Sequence, residues 1–150
     1  MRILCFDYGE KRIGVAVSDE LGMTAQGLTI IVRKGMKRDM EEVARIINTS
    51  GAERIVVGYP VRLDGTTGIQ CEKVDRFIRV LEKNYSLPVE RWDETLSTWE
   101  AEEILTEALV KGKRRKAVVD KIAAGIILQG YLNHMERKNL SKEVEDPSWQ

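Results

Sequence analysis

Three sets of acids in this chain follow or interrupt apolar segments. Asp7 comes directly after Ile3-Leu4-Cys5-Phe6. An acid that ends an apolar strand stands at the rim of a sheet, where α/β proteins hold ligands; it can equally open an Asp-Tyr-Gly turn. Asp93 and Glu94 follow the short strand expected over Val89 to Trp92. Neighbours in a strand point to opposite faces, so at most one of the two can join Asp7. Asp120 lies inside Val118-Val119-Asp120-Lys121-Ile122-Ala123-Ala124 and, seven residues before Ile127, shares a helix face with it. A carboxylate beside an apolar stripe needs a partner, either a cation it coordinates or a lysine such as Lys116 or Lys121. If the acids converge they repel one another, and divalent cations relieve that repulsion. Carboxylate oxygens suit Mg2+ or Mn2+. Two such ions can activate water and stabilise the leaving oxygen of a phosphodiester.

Other residues carry weaker signals. Lys111-Gly112-Lys113-Arg114-Arg115-Lys116 is the densest positive run and precedes the Asp120 segment. It reads as a basic loop that contacts phosphate through Lys113, Arg114, Arg115 and Lys116, or as a solvated loop. Asp64-Gly65-Thr66-Thr67-Gly68 precedes a helix, where the Thr66 hydroxyl and free N–H groups can meet a phosphate or simply cap the helix. Gly9 suggests close backbone approach or a positive φ. His134, the single histidine, falls late in the last helix and reads as a surface residue. Trp99 can stack on a base or sit in the core.

The elements that position these residues follow from periodicity. Arg2 to Phe6 and Ile13 to Val17 read as a β-hairpin, with Leu28 to Val32 a third antiparallel strand. Met36 to Asn48 has helical spacing and is closed by Ser50-Gly51. Arg54 to Tyr59 is a strand, Gln70 to Lys83 a helix with Val74, Phe77, Ile78 and Leu81 on one face, and Pro88 to Trp92 a strand. Ser97 to Val110 reads as a helix opened by a Ser97/Glu100 capping box. Ala117 to Met135 is a long helix, and the polar tail from Asn139 is expected to fray. The expected fold is α/β: a mixed five-stranded sheet, three antiparallel strands then two parallel, flanked by helices. One domain over residues 1–138 and a C-terminal tail over 139–150 account for the chain.

Bulk properties narrow the class. A chain of 150 residues with 43% hydrophobic content can build one core without staples. No run approaches the ~18 apolar residues that span a bilayer, so no membrane partner is expected. Met1-Arg2 leads straight into a strand with no signal-like region, which points to the cytoplasm. Cys5 and Cys71 have no zinc-site spacing and read as reduced thiols. Lys plus Arg and Asp plus Glu number 24 each, so any nucleic-acid contact rests on local basic patches.

The motifs taken together resemble the YqgF family of pre-16S ribosomal RNA nucleases, relatives of Holliday-junction resolvases. The resemblance rests on Phe6-Asp7-Tyr8-Gly9 with Arg12-Ile13-Gly14-Val15-Ala16-Val17-Ser18-Asp19, then Val57-Gly58-Tyr59-Pro60 leading to Asp64-Gly65-Thr66. It continues in Asp93-Glu94-Thr95-Leu96-Ser97-Thr98 and in Val119-Asp120-Lys121-Ile122-Ala123-Ala124 with Ile127-Leu128-Gln129. It implies a ribonuclease-H-like fold and a metal-dependent nuclease whose catalytic and metal-holding acids are Asp7, Glu94 and Asp120. The choice of Glu94 over Asp93 comes from the resemblance. The implied role is maturation of the 5′ end of precursor 16S rRNA, with precursor rRNA and the ribosome as partners and a monomer or weak homodimer as the working form. The family usually has arginine after Asp-Glu, where this chain has Thr95; Arg12 or the basic run is then the substitute cation. Two rivals share the acids or the motifs: a resolvase acting on branched DNA, which should be a stable dimer, and a noncatalytic RNA-binding assembly factor. An actin-like ATPase needs two such domains, and the chain is too short for both.

Overall fold

A computed structural model describes residues 1–60, 68–93 and 112–145, with the backbone alone for 112–121 and 141–145. In chain order the elements are β1 (Ile3–Tyr8), β2 (Arg12–Ser18), β3 (Ala25–Val32), α1 (Met36–Ser50), β4 (Arg54–Tyr59), α2 (Ile69–Asn84), β5 (Val89–Asp93) and α3 (Gly112–Glu145). The strands form one sheet in the order β3-β2-β1-β4-β5. The first three are antiparallel neighbours; β4 joins β1, and β5 joins β4, in parallel. This is the mixed five-stranded sheet expected from the pattern. The expected Ser97 to Val110 helix, Glu94 and Thr66 lie outside the described residues.

Strand alternation sorts the side chains onto two faces. Leu4, Phe6 and Tyr8 of β1 join Ile13, Val15, Ile55 and Val57 in a core covered by α1 and α2. Ile3 and Cys5 join Ala16 and Val56 under Ala124, Ile127, Leu128 and Tyr131 of α3. On the first face Phe77 is fully buried, edge-on to Phe6 at 5.7 Å and stacked on Tyr8 at 4.6 Å. Each such ring pair adds about 0.5–1.5 kcal/mol beyond the burial itself. Helix α1 ends at Gly51, whose φ of 68° is the left-handed cap that glycine adopts without strain. Cys5 and Cys71 are buried free thiols.

Two expectations are corrected. The basic run was expected as a loop, but helix α3 begins at Gly112 and takes in Lys113, Arg114, Arg115 and Lys116. Lysine and arginine are good helix formers, and like-charge pairs three or four apart cost only a few tenths of a kcal/mol, which a helix already anchored by its apolar half absorbs. The tail was expected to fray from Asn139, but α3 continues through Glu145. No glycine or proline interrupts 139–145, and Pro147 is the first residue that forbids helix behind it. Strand β3 also starts at Ala25 rather than Leu28, because ladder hydrogen bonds admit polar Gln26 and Gly27 on a strand whose apolar signal starts later.

Candidate active site

The carboxyl ends of β1, β4 and β5 open on one edge of the sheet because those strands are parallel. Asp7 is the fifth residue of β1 and pairs with Gly14 of β2, so it belongs to the strand and does not open the turn. By alternation it shares the α3 face with Ile3 and Cys5. Its lateral neighbours on that face carry no side chain. Gly14 is its partner on β2; on β4, Phe6 pairs with Val57, so Gly58 is next in line beside Asp7. Asp7 therefore stands on a floor of bare backbone at the rim. Arg12, two residues before Gly14, shares that face and that edge.

Strand β5 fixes the face on which Asp93 falls. Glu90 and Trp92 meet Tyr131 on the α3 side, while Arg91 pairs with Asp75 of α2 on the opposite side at 3.0 Å. Alternation then puts exposed Asp93 with Arg91, on the face away from Asp7.

Helix α3 runs antiparallel to β1 across the same face. Gln129 bonds the backbone of Ala25 and Met23 at the level of Ile3, and a Cβ at Gly125 would lie 3.7 Å from the Gly27 nitrogen at the level of Cys5. One helical turn back, roughly 6 Å or two strand residues, brings the backbone near residue 121 level with Asp7. The Asp120 position thus reaches the rim of the sheet, and Lys113 to Lys116 continue the helix past it. Tyr131 pins this alignment: its hydroxyl donates to Glu90 Oε2 at 2.7 Å and accepts from Arg54 at 2.8 Å. Burial, then the bond to Glu90, raises the Tyr131 pKa, so the phenol stays a donor.

The turn after Asp7 is held from two sides. Gly9 N–H donates to Arg12 O at 2.9 Å, and a Cβ at Gly9 would come within 2.7 Å of that oxygen. The Arg33 guanidinium lies 4.5 Å over the Tyr8 ring, donates to Gly9 O at 3.2 Å and Glu10 O at 3.5 Å, and pairs with Asp39 at 3.2 Å. Asp39 is buried at 2% exposure and also accepts the Lys34 N–H. From the other side α2 supplies Gln70, which donates to Tyr8 O at 3.0 Å, and Lys73, which pairs with Glu10 at 2.8 Å. The Lys73 ammonium holds the Glu10 carboxyl below its usual range.

Sequence reasoning passed over Arg33, Asp39 and the two flanking glycines. The signals were present: Asp39 falls four residues before Val43 on the buried face of α1, and Gly14 interrupts a strand pattern, which marks close approach. His134 is exposed as expected, and its ring lies 5.0 Å from that of Trp92.

Asp7 offers a carboxylate at this edge, and hard oxygen ligands of that kind suit Mg2+ or Mn2+, though no group of three candidate ligands stands together among the described residues. Asp7 is the member of the expected trio whose side chain is described.

Comparison with known proteins agrees with this architecture. Residues 1–134 match the family model described as "RuvX: Holliday junction resolvase". A protein of Syntrophus aciditrophicus named "Putative pre-16S rRNA nuclease" is 54% identical over 146 residues, covering 97% of each chain. One of the same name from Halothermothrix orenii is 52% identical, covering 91% of this chain and 98% of its own. Among solved structures, the Fowlpox virus resolvase in complex with Holliday junction DNA superposes with a TM-score of 0.55 at 15% identity, over 90% of this chain and 99% of its own. T. thermophilus RuvC with a Holliday junction substrate gives 0.52 at 15% identity, over 90% and 96%. At that identity the structural likeness speaks for the fold, which is ribonuclease-H-like. The chain belongs to the RuvX/YqgF family of nucleases.

Proposed function

We propose that this protein is a metal-dependent nuclease that hydrolyses phosphodiester bonds at the carboxyl edge of its sheet and acts in the cytoplasm on the 5′ end of pre-16S rRNA. The observation that carries the reading is Asp7, standing on the α3 face of the rim with Gly14 and Gly58 on either side. The names of relatives about half identical over nearly the whole chain support the substrate.

Asp7, Glu94 and Asp120 are the residues that would hold the ions. Bound Mg2+ or Mn2+ supplies an activated water and neutralises charge on the leaving oxygen. The chain's own residues bind and orient the substrate. The glycine floor lets a phosphate approach the backbone. Arg12, on the same face, offers a guanidinium to its oxygens and replaces the cation that the family carries where this chain has Thr95. The first turns of α3 bring Lys113, Arg114, Arg115 and Lys116 past the rim, in line with an incoming backbone, and the Thr66 loop is a further phosphate contact. These contacts position the strand without reading its sequence.

The family description favours a second reading, cleavage of branched DNA. One assay separates them. A pre-16S 5′-end RNA and a four-way DNA junction are incubated with wild type and Asp7→Asn in Mg2+, Mn2+ or EDTA. RNA cleavage that needs metal and is lost in Asp7→Asn, by about 100-fold or more, is the expected outcome. Cleavage of the junction alone would move the assignment to a resolvase. Binding without cutting, unchanged by the substitution, would leave a ribosome-assembly factor.

A further inference from the structure

Four consecutive carbonyls follow Asp7, and each has a donor from another part of the fold. Tyr8 O accepts from Gln70 of α2; Gly9 O and Glu10 O accept from the Arg33 side chain; Lys11 O accepts from the Arg33 backbone N–H at 3.0 Å. A hairpin turn at a sheet rim is ordinarily left to water. Here its outer surface is caged by two elements distant in sequence, and the cage is itself anchored. Asp39 is buried and accepts from both Arg33 and Lys34. The Tyr8 ring is held between Arg33 and Phe77.

We infer that Arg33, anchored by Asp39, and Gln70 are positioning residues for the Asp7 carboxylate: they lock the turn behind it and so set its geometry toward a divalent ion. The inference rests on the reading of Asp7 as a metal ligand. Neither residue points a donor at Asp7 in any bond described above; each acts through the backbone of residues 8–11. Tyr8 to Lys11 join Asp7 to Arg12, and the turn closes so tightly on Arg12 O that a Cβ at Gly9 would meet it at 2.7 Å. A shift of the turn therefore moves both side chains of the rim together.

Charge and geometry make opposite predictions for Arg33, which gives the test its sign. A cation near a metal site repels the ion, so by Coulomb's law alone its removal tightens metal binding. If Arg33 positions Asp7, its removal weakens binding. Outer residues that orient a metal ligand contribute about 10- to 100-fold in affinity.

The experiment is calorimetric titration of Mn2+ into the full chain, with thermal melts of each variant to confirm folding. The variants are Asp7→Asn, Arg33→Ala, Arg33→Lys and Gln70→Ala. Loss of binding in Asp7→Asn, with about 10-fold weaker binding in Arg33→Ala and Gln70→Ala, is expected. Arg33→Lys should fall between wild type and Arg33→Ala, because one ammonium cannot hold Asp39 and the turn carbonyls at once, as Nε and Nη1 of the guanidinium do. Gln70→Ala carries no charge change and reports even if Arg33→Ala fails to fold. Wild-type or tighter Mn2+ binding in Arg33→Ala and Gln70→Ala, with binding lost in Asp7→Asn, would overturn the positioning role and leave the metal site standing. Unchanged binding in Asp7→Asn would overturn both.

Discussion

At the scale of single residues, what matters at the rim is as much missing side chain as present charge. Gly14 pairs with Asp7 on β2, and Gly58 follows in register on β4, so neither neighbouring strand sets a side chain beside the carboxylate. The buried charge of Asp39 is tolerated because it accepts from the Arg33 guanidinium and the Lys34 N–H at once. Asp39→Ala would leave Arg33 without its buried counter-ion and cost about 3 kcal/mol. Asp39→Asn keeps one of the two acceptor oxygens and sets an amide NH2 against the other donor, so it should recover only part of that cost. Urea unfolding of the two variants beside wild type measures the difference, and equal losses would mean that the hydrogen bonds matter less than the charge.

At the scale of elements, α3 aligns the two halves of the site. It crosses the sheet antiparallel to β1, with Gln129 tied to the start of β3 and Tyr131 tied to β4 and β5. These ties lie in the middle of the helix, about three turns after Asp120, and fix the line along which it reaches the rim. Tyr131→Phe removes one hydroxyl that serves both Arg54 and Glu90, and Arg54 already has a buried Nε without a hydrogen-bond partner. The expected loss is about 1–2 kcal/mol by denaturant midpoint. Nuclease activity should fall with it even where the chain is fully folded, since the Asp120 end of the helix moves on the Tyr131 pivot. The extension of α3 back to Gly112 gives the basic run a rigid direction that a loop would lack.

At the scale of the whole molecule, the sheet separates two cores, and hydrogen bonds between elements tie the strands' carboxyl ends to the helices. Tyr59 illustrates the second point: the last residue of β4, it donates to Asp75 of α2 at 3.0 Å. Burial, and then the Asp75 carboxylate, push its pKa up to about 12 from an ordinary 10.0. The sign follows from proton binding. Between those two values the folded chain keeps a proton that the unfolded chain has lost, so stability falls as pH rises through that window and is complete below it. Tyr59→Phe should remove this alkaline loss, at a cost near neutral pH of about 1 kcal/mol for the hydrogen bond. Melts of both proteins across neutral and alkaline pH, converging as the pH rises, are the expected result; parallel curves would assign the alkaline transition to other groups.

Much was legible in the residues alone. Apolar periodicity set the element types and the order of strands and helices, because a strand's two-residue repeat and a helix's 3.6-residue repeat each leave a direct mark on composition. The motifs around Asp7, Asp93-Glu94 and Asp120 identified the family, since they recur in order and spacing along nearly the whole chain. The ends of α3 were not legible: its basic start and polar finish carry no apolar stripe, and only the packed middle of the helix decides that the flanking turns form. Three things needed the tertiary structure. The adjacency of β4 to β1 and of β5 to β4 brings residues more than eighty positions apart to one edge. The strand register puts Gly14 and Gly58 beside Asp7 and turns Asp93 away. The Arg33–Asp39 pair and Gln70 close around the turn from two elements far apart in the sequence. Each depends on which strand lies next to which, and pairing between strands is a long-range choice that no local pattern of side chains encodes.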